Sequence, residues 1–221
     1  MTATTTTTLS RCRHAARMAG LAPALTMLCA KMLPGLLPCG PAGHAVVPVE
    51  IAASAGRVWL GGAVSSRADG TEKTLSTVAL TGGALTLLHH RPAEHTETSC
   101  DATAWGLGLV WLRLGLSEGL LDACVRYLGG RKAGDATLLQ QQLVKGSIAE
   151  VLIEQLEVHA VLTGTGLTAN TLAHLQEQIT LADRALLRLL GASGFLAGGP
   201  GEVAHLSELL AEAYNRCEGP E

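Results

Sequence analysis

The sequence predicts an α+β fold, mostly α, with short N-terminal helices, a small antiparallel β module and a C-terminal four-helix bundle. Two observations carry this. Hydrophobic residues make up 48% of the 221 positions while aromatics supply only 3%, a mix of alanine, leucine and glycine that favours closely packed helices. The apolar pattern also changes along the chain, from short β-rich runs between Val46 and His90 to spacings of three and four beyond Thr103.

Residues 1–8 are a threonine tract without apolar periodicity, expected to be disordered. Residues 9–45 form a short helical segment. Its Arg11, Arg13 and Arg17 precede an apolar run in the manner of a secretory signal peptide. Lys31 interrupts that run and no small-residue cleavage site follows it, so two short helices packed on the rest of the protein are expected. Residues 46–100 form the β module: "AVVPVEIAA", "RVWLGGAV", "TLSTVAL" and "ALTLLHH" are separated by turn-forming residues and read as antiparallel hairpins. Residues 101–221 are the bundle. Helices are expected over about Thr103 to Leu128, Ala136 to Leu162, Ala169 to Leu190 and Glu202 to Arg216. The first is apolar on nearly every face and belongs at the centre. The second is interrupted on its stripe only by Gln155.

A formal charge of −3 supplies no basic surface for nucleic acid. Cysteines at 12, 29, 39, 100, 124 and 217 form no CxxC pair and have no histidines at zinc spacing, which indicates neither a metal site nor a disulfide framework. Reduced thiols in a cytoplasmic protein, away from the membrane, fit better.

The stretch "GGRKAGDATLLQQQLVKGSIAE" resembles a signature of the acyl-CoA dehydrogenases: an arginine, then x-Ala-Phe-Gly, an aliphatic residue, a glutamine, and finally Leu/Met-Ala-Asp/Glu. Arg131, Ala133, Leu138, Gln142, Ile148, Ala149 and Glu150 fall at those offsets without a gap. Upstream, "LGLSEGLLDACVRYLGGR" is similar to the family's first bundle helix; downstream, "LLGASGF" is similar to its Gly-Gly-x-Gly-Phe/Tyr loop. The resemblance implies a bundle of acyl-CoA dehydrogenase type that associates with a second subunit, as a homodimer or a heteromer. It also implies a place for FAD at Arg131, Gln142, Gly191, Gly194 and Phe195. A forked guanidinium and glycine N–H groups suit pyrophosphate oxygens.

The departures fall at cofactor and chemistry. Gly134 and Asp135 stand at the Phe-Gly positions, placing a carboxylate where a pyrophosphate would lie. Ala192 replaces the second loop glycine, Arg188 stands where the family has glutamine, and "LGGAVSSRADG" carries no flavin-contacting tryptophan. The family's glutamate base aligns with Trp105, which accepts no proton, or with the region of Glu218 near the chain end. FAD-dependent dehydrogenation is therefore expected to be lost and no cofactor is expected, with FAD kept as the alternative.

Four other residues are candidates for chemistry. Arg113 in an apolar helix needs a partner, read as an ion pair with Glu118 or an acid from another helix, or as a substrate clamp. His159 shares a stripe with Leu152 and Leu156 and reads as a core or interface histidine before a general acid/base. Asp101 and Trp105 stand where the resembling family lines its substrate cavity, although Asp101 also suits a helix cap. His89, His90 and His95 read as a solvated strand end rather than a metal cage.

Three functions follow in order of preference. The first is a cofactor-independent, non-redox enzyme of cyclase, dehydratase or isomerase type on a polyketide-like or acyl substrate, of the kind found in secondary metabolism. The second is a non-catalytic subunit pairing with a full-length, flavin-bearing dehydrogenase. The third is an FAD-dependent oxidoreductase.

Overall fold

The computed structural model describes residues 3–67, 72–91, 97–98 and 102–214; Asp101, His95 and Glu218 lie outside them. In chain order the elements are α1 (Ala3–Ala19), α2 (Leu21–Met32), β1 (Leu36–Cys39), β2 (His44–Pro48), α3 (Val49–Ser54), β3 (Arg57–Leu60), β4 (Ala63–Ser66), β5 (Glu72–Leu80), β6 (Gly83–His90) and β7 (Glu97–Thr98), then α4 (Ala102–Gly130), β8 (Lys132–Ala133), β9 (Ala136–Thr137), α5 (Gln142–Thr163), α6 (Ala169–Leu190) and α7 (Pro200–Tyr214).

The threonine tract is not a ragged end throughout, because α1 runs from Ala3 and draws those residues into helix. Leu9, Cys12 and Ala16 bury one face of α1, and that packing extends the helix beyond what threonine propensity would allow. The arginines that look like a signal peptide are the other half of the attachment. Arg13 makes a two-pronged pair with Glu118, Arg13 Nε standing 3.0 Å from Glu118 Oε2, and Arg17 Nε donates to Asp122 Oδ2 at 2.8 Å. Both pairs repeat at a spacing of four, so α1 and α4 are held in register over one turn. Between them the backbones touch. A Cβ added to Gly115 would stand 2.1 Å from the Arg13 carbonyl oxygen, so only glycine permits this approach.

The β module differs from expectation in two places. β1 lies upstream of the expected strands and pairs in parallel with β3, opening a sheet of order β1-β3-β4-β7 whose other pairings are antiparallel. The expected run "AVVPVEIAA" is a strand only as far as Pro48, and α3 takes the remainder. β2, β6 and β5 make a second, fully antiparallel sheet. The strand end at His89 and His90 is not solvated throughout. The two side chains point to opposite faces: His90 is buried 3.6 Å from Glu72 Oε1, and His89 lies against the ring of His44. Burial lowers the His90 pKa, with Glu72 opposing the shift.

The bundle is α4 to α7. Residues Leu107 to Ser117 of α4 are all buried, because α1 and α2 cover one side and α5, α6 and α7 the other. The second bundle helix starts at Gln142 rather than Ala136, since residues 132–137 make a two-stranded ribbon and Leu138–Gln140 a 3-10 turn capped by Thr137. No helix among the described residues is long and apolar enough to cross a membrane.

Candidate functional site

Arg131 follows α4 directly, where the chain turns into the β8–β9 ribbon. Its backbone carbonyl accepts from Leu138 N at 2.8 Å, which closes the ribbon. Its guanidinium lies over the Tyr127 ring at 4.9 Å and donates to the Tyr127 hydroxyl at 2.6 Å. The Tyr127 pKa is lowered by Ser193, followed by Arg131. Tyr127 is thus influenced by both Arg131 and the 191–195 loop, two candidate regions separated by sixty residues of sequence. Gln142 opens α5 at the end of the same connection.

The loop has local reasons for its glycines. Gly191 ends α6 with φ +55°, a conformation that glycine adopts without steric cost. Gly194 is buried, and its carbonyl oxygen lies where a Cβ on Gly201 would stand, so loop and α7 meet backbone to backbone. Phe195 is 77% exposed and Leu143 is 88% exposed; Arg131, Gln142 and Gly191 are exposed with them. These groups are exposed at the end of the bundle where α4 ends, α5 begins and α6 ends. Arg131 keeps N–H donors free of Tyr127, so it suits a phosphate, but Asp135 is exposed on the same ribbon.

Trp105 is buried in an aromatic cluster, with the Trp59 ring at 5.9 Å and the Tyr214 ring at 5.5 Å. The Tyr214 hydroxyl donates to the Pro38 carbonyl at 3.0 Å, which locks the cluster between α7 and the β module. Trp105 therefore packs between the β module and α7.

Arg113 is 0% exposed, and of the acids expected beside it Glu118 is not its partner, whereas an acid from another helix, Asp183, acts on it. Glu118 belongs to Arg13. The Arg113 guanidinium donates to neutral acceptors: Ser207 Oγ at 2.9 Å, the Gln176 carbonyl at 3.0 Å, Gln176 Oε1 at 2.5 Å and Thr180 Oγ1 at 2.8 Å. Desolvation lowers its pKa to about 10, opposed by the charge of Asp183 of α6 and then of Glu208 of α7. Asp183 is 4% exposed, and its own pKa is raised by burial to about 7, with Ser117 and Arg113 opposing the rise. One carboxyl oxygen, Oδ1, has no hydrogen-bond partner in the protein. Gln155, the interruption on the α5 stripe, donates to Ser117 Oγ at 2.9 Å and completes a polar seam across four helices.

Asp183 and Gln176 are the residues that sequence reasoning missed. The signal was present: Asp183 stands four residues after Ile179 and three before Leu186, on the buried stripe of α6. His159 is half-buried, with its ring at 5.6 Å and nearly perpendicular to Trp111. Desolvation, followed by Arg13, lowers its pKa. Leu152 and Leu156, expected to share an inward stripe with it, are exposed.

Among the described residues no group of three or more His, Cys, Asp or Glu side chains is placed to hold a metal. Cys12, Cys29, Cys39 and Cys124 are free and buried; burial pushes the first three thiols up to about 12 and Cys124 to about 11.

No protein-family model matches the sequence, and no curated protein matches it. Structural comparison does find relatives. A variant of the Tcur3481-Tcur3483 steroid ACAD superposes with a TM-score of 0.57 at 17% identity, over 92% of this chain and 70% of that one. A protein assigned as an acyl-CoA dehydrogenase from Mycobacterium smegmatis gives 0.58 at 13% identity, over 90% and 76%. FkbI, for biosynthesis of the methoxymalonyl extender unit of Fk520, gives 0.54 at 19% identity, over 73% and 54%. The chain has the acyl-CoA dehydrogenase fold.

Proposed function

We propose that this chain is a subunit that pairs through its bundle with a full-length, flavin-bearing dehydrogenase of the same fold, lending Arg131 and Gln142 to the partner's FAD. The observation that carries this reading is the open face at the end of the bundle. Arg131, Gln142 and Gly191 are exposed there, and so are Leu143 and Phe195, which a soluble protein gains by covering. Leu152, Ile153 and Leu156 continue the apolar exposure along α5. The other regions support it too. Trp105, where the fold's relatives would place a base, is held between Trp59 and Tyr214, and one of the structural relatives carries a paired name, Tcur3481-Tcur3483.

Bound FAD would supply the redox chemistry. Arg131 would hold a phosphate oxygen by a charge-assisted hydrogen bond, with Tyr127 fixing the guanidinium, and Gln142 would add neutral donors. The cofactor-independent enzyme of cyclase, dehydratase or isomerase type, acting on an acyl or polyketide-like substrate, is the alternative; it requires turnover by the colourless chain alone.

The test compares absorbance near 450 nm, roughly where oxidised flavins absorb, for the chain alone and for the chain co-expressed with a full-length acyl-CoA dehydrogenase of its own organism. The expected result is a colourless chain alone and a yellow complex of fixed stoichiometry. Stoichiometric FAD on the chain alone, or turnover of an acyl substrate by it, overturns the proposal.

A further inference from the structure

Adjacent histidines on one strand point apart, so the partner of His89 comes from the neighbouring strand instead. His44 of β2 stands directly opposite His89 of β6, and their rings lie 4.9 Å apart between centroids at an angle of 54°. We infer that this pair is a chelating site for a divalent transition-metal ion of the zinc, copper or nickel kind, held by one imidazole nitrogen from each histidine and completed by water. The site shares no residue with the Arg131 corner and does not depend on the partner proposed above.

The strand register brings the two rings together. His90 N donates to the Gly43 carbonyl at 2.8 Å, the bond that flanks a non-hydrogen-bonded pair, so His44 and His89 occupy the position in an antiparallel ladder where side chains stand closest. Both backbones are fixed. β6 is the middle strand of its sheet, between β2 and β5, and the turn before β2 is closed by Gly43 N donating to the Gly40 carbonyl at 2.9 Å and Gly40 N donating to the His44 carbonyl at 2.8 Å. A Cβ on Gly43 would stand 2.1 Å from the His90 carbonyl oxygen, so this turn sits directly on β6. Two donors mounted on paired strands lose little freedom when an ion joins them.

The spacing and the donor type select the ion. Metal–nitrogen bonds of about 2.0 to 2.1 Å at a near-tetrahedral angle put two imidazole centroids roughly 5 Å apart, so the rings already have the separation that an ion requires. The ring torsion of histidine is broad and roughly two-fold, which lets each ring turn a nitrogen toward the other without moving the backbone. Imidazole suits zinc, copper and nickel, whereas magnesium and calcium take oxygen ligands that neither ring supplies. His44 is exposed and His89 half-buried, so an ion arrives from water and keeps water in its remaining positions. With two protein donors rather than four, the site is open and exchanges its ion, unlike a closed structural site. The charge that opposes binding is Lys73 of β5, which is exposed and stands opposite His89 in the register.

The experiment titrates the full chain with zinc chloride in a buffer that does not bind metal, following the histidine ring resonances by NMR. Saturable shifts at both the His44 and the His89 ring are expected, and magnesium chloride should move neither. His44→Ala and His89→Ala should each weaken binding about tenfold or more, because losing one arm ends chelation. His174→Ala, at an exposed position of α6, should leave it unchanged. Lys73→Glu should tighten it severalfold, since an anion replaces a cation on the same face. No saturation by millimolar zinc, shifts at only one of the two rings, or wild-type affinity in either alanine variant at positions 44 and 89 overturns the inference. If His89→Ala does not fold, His44→Ala, at the exposed member of the pair, decides.

Discussion

The two polar regions of this bundle are built in opposite ways. At its centre, Arg113 is fully buried and every contact it makes is supplied by the chain itself, through Ser207, Gln176 and Thr180. At its end, Arg131 is exposed, and its side-chain partner among the described residues is Tyr127, four residues earlier in the last turn of α4. The first arrangement spends its polar groups on joining helices; the second leaves donors facing outward. A charge in the interior carries information about the fold, and a charge held in place at the surface carries information about what comes to meet it.

The largest effect should come from breaking the central seam. Arg113→Met removes the cation that compensates Asp183 and leaves the Gln176 side chain and the Ser207 hydroxyl without their partner. Loss of one member of a buried charged cluster costs about 3 to 5 kcal/mol, read as a fall in the midpoint of urea unfolding. A loss below about 1 kcal/mol would mean that solvent reaches the seam and that the contrast with Arg131 is one of degree.

Much of this contrast was legible before the structure, and the reasons differ between elements. The boundaries of α6 were readable because Leu172, Leu175, Ile179, Ala182 and Leu186 keep one period to the glycine stop at Gly191. Arg131 and Gln142 could be singled out because they lie within one short stretch of sequence. β1 was missed because "LLPC" is short, apolar and continuous with a helical segment, and its parallel pairing with β3 depends on residues twenty positions away. Which acid acts on Arg113 was left open between Glu118 and one from another helix for a related reason. Glu118 is near in sequence, but the neighbour that matters electrostatically, Asp183, is brought in by the packing of α6 on α4. Periodicity shows which residues face inward and does not show which of them meet.

A smaller effect sharpens the comparison through pH. The folded protein holds the Asp183 proton up to about pH 7, whereas the unfolded chain releases it near 3.8. Between those values the native state binds more protons, so this group makes stability fall as pH rises from about 4 to 7 and adds no further change above. The shift spans about three pKa units at about 1.4 kcal/mol each, which sets a ceiling of about 4 kcal/mol. Arg113 and Ser117 from α4 and Glu208 from α7 are the groups that act on it. Asp183→Asn should flatten the stability profile in that window. His90 and His159, whose pKa values are lowered, work with the opposite sign and stay unchanged in the difference curve. Identical profiles for the two proteins would place Asp183 in contact with water.

The smallest effect on stability, and the one that separates surface from seam most sharply, should come from Arg131→Ala. The side chain is exposed and its contact is with the Tyr127 ring and hydroxyl, so the chain alone should change by no more than about 0.5 kcal/mol. In complex with a flavin-bearing partner the same substitution removes a charge-assisted donor to phosphate, and FAD retention should fall by about tenfold or more. Tyr127→Phe should follow in the same direction with a smaller effect, because it frees the guanidinium without removing it. A substitution neutral to folding and costly to the complex is the behaviour of a residue whose partner lies in another molecule. If instead Arg131→Ala destabilised the chain as Arg113→Met does, both arginines would be structural, and the exposed face would have to be explained by Leu143 and Phe195 alone.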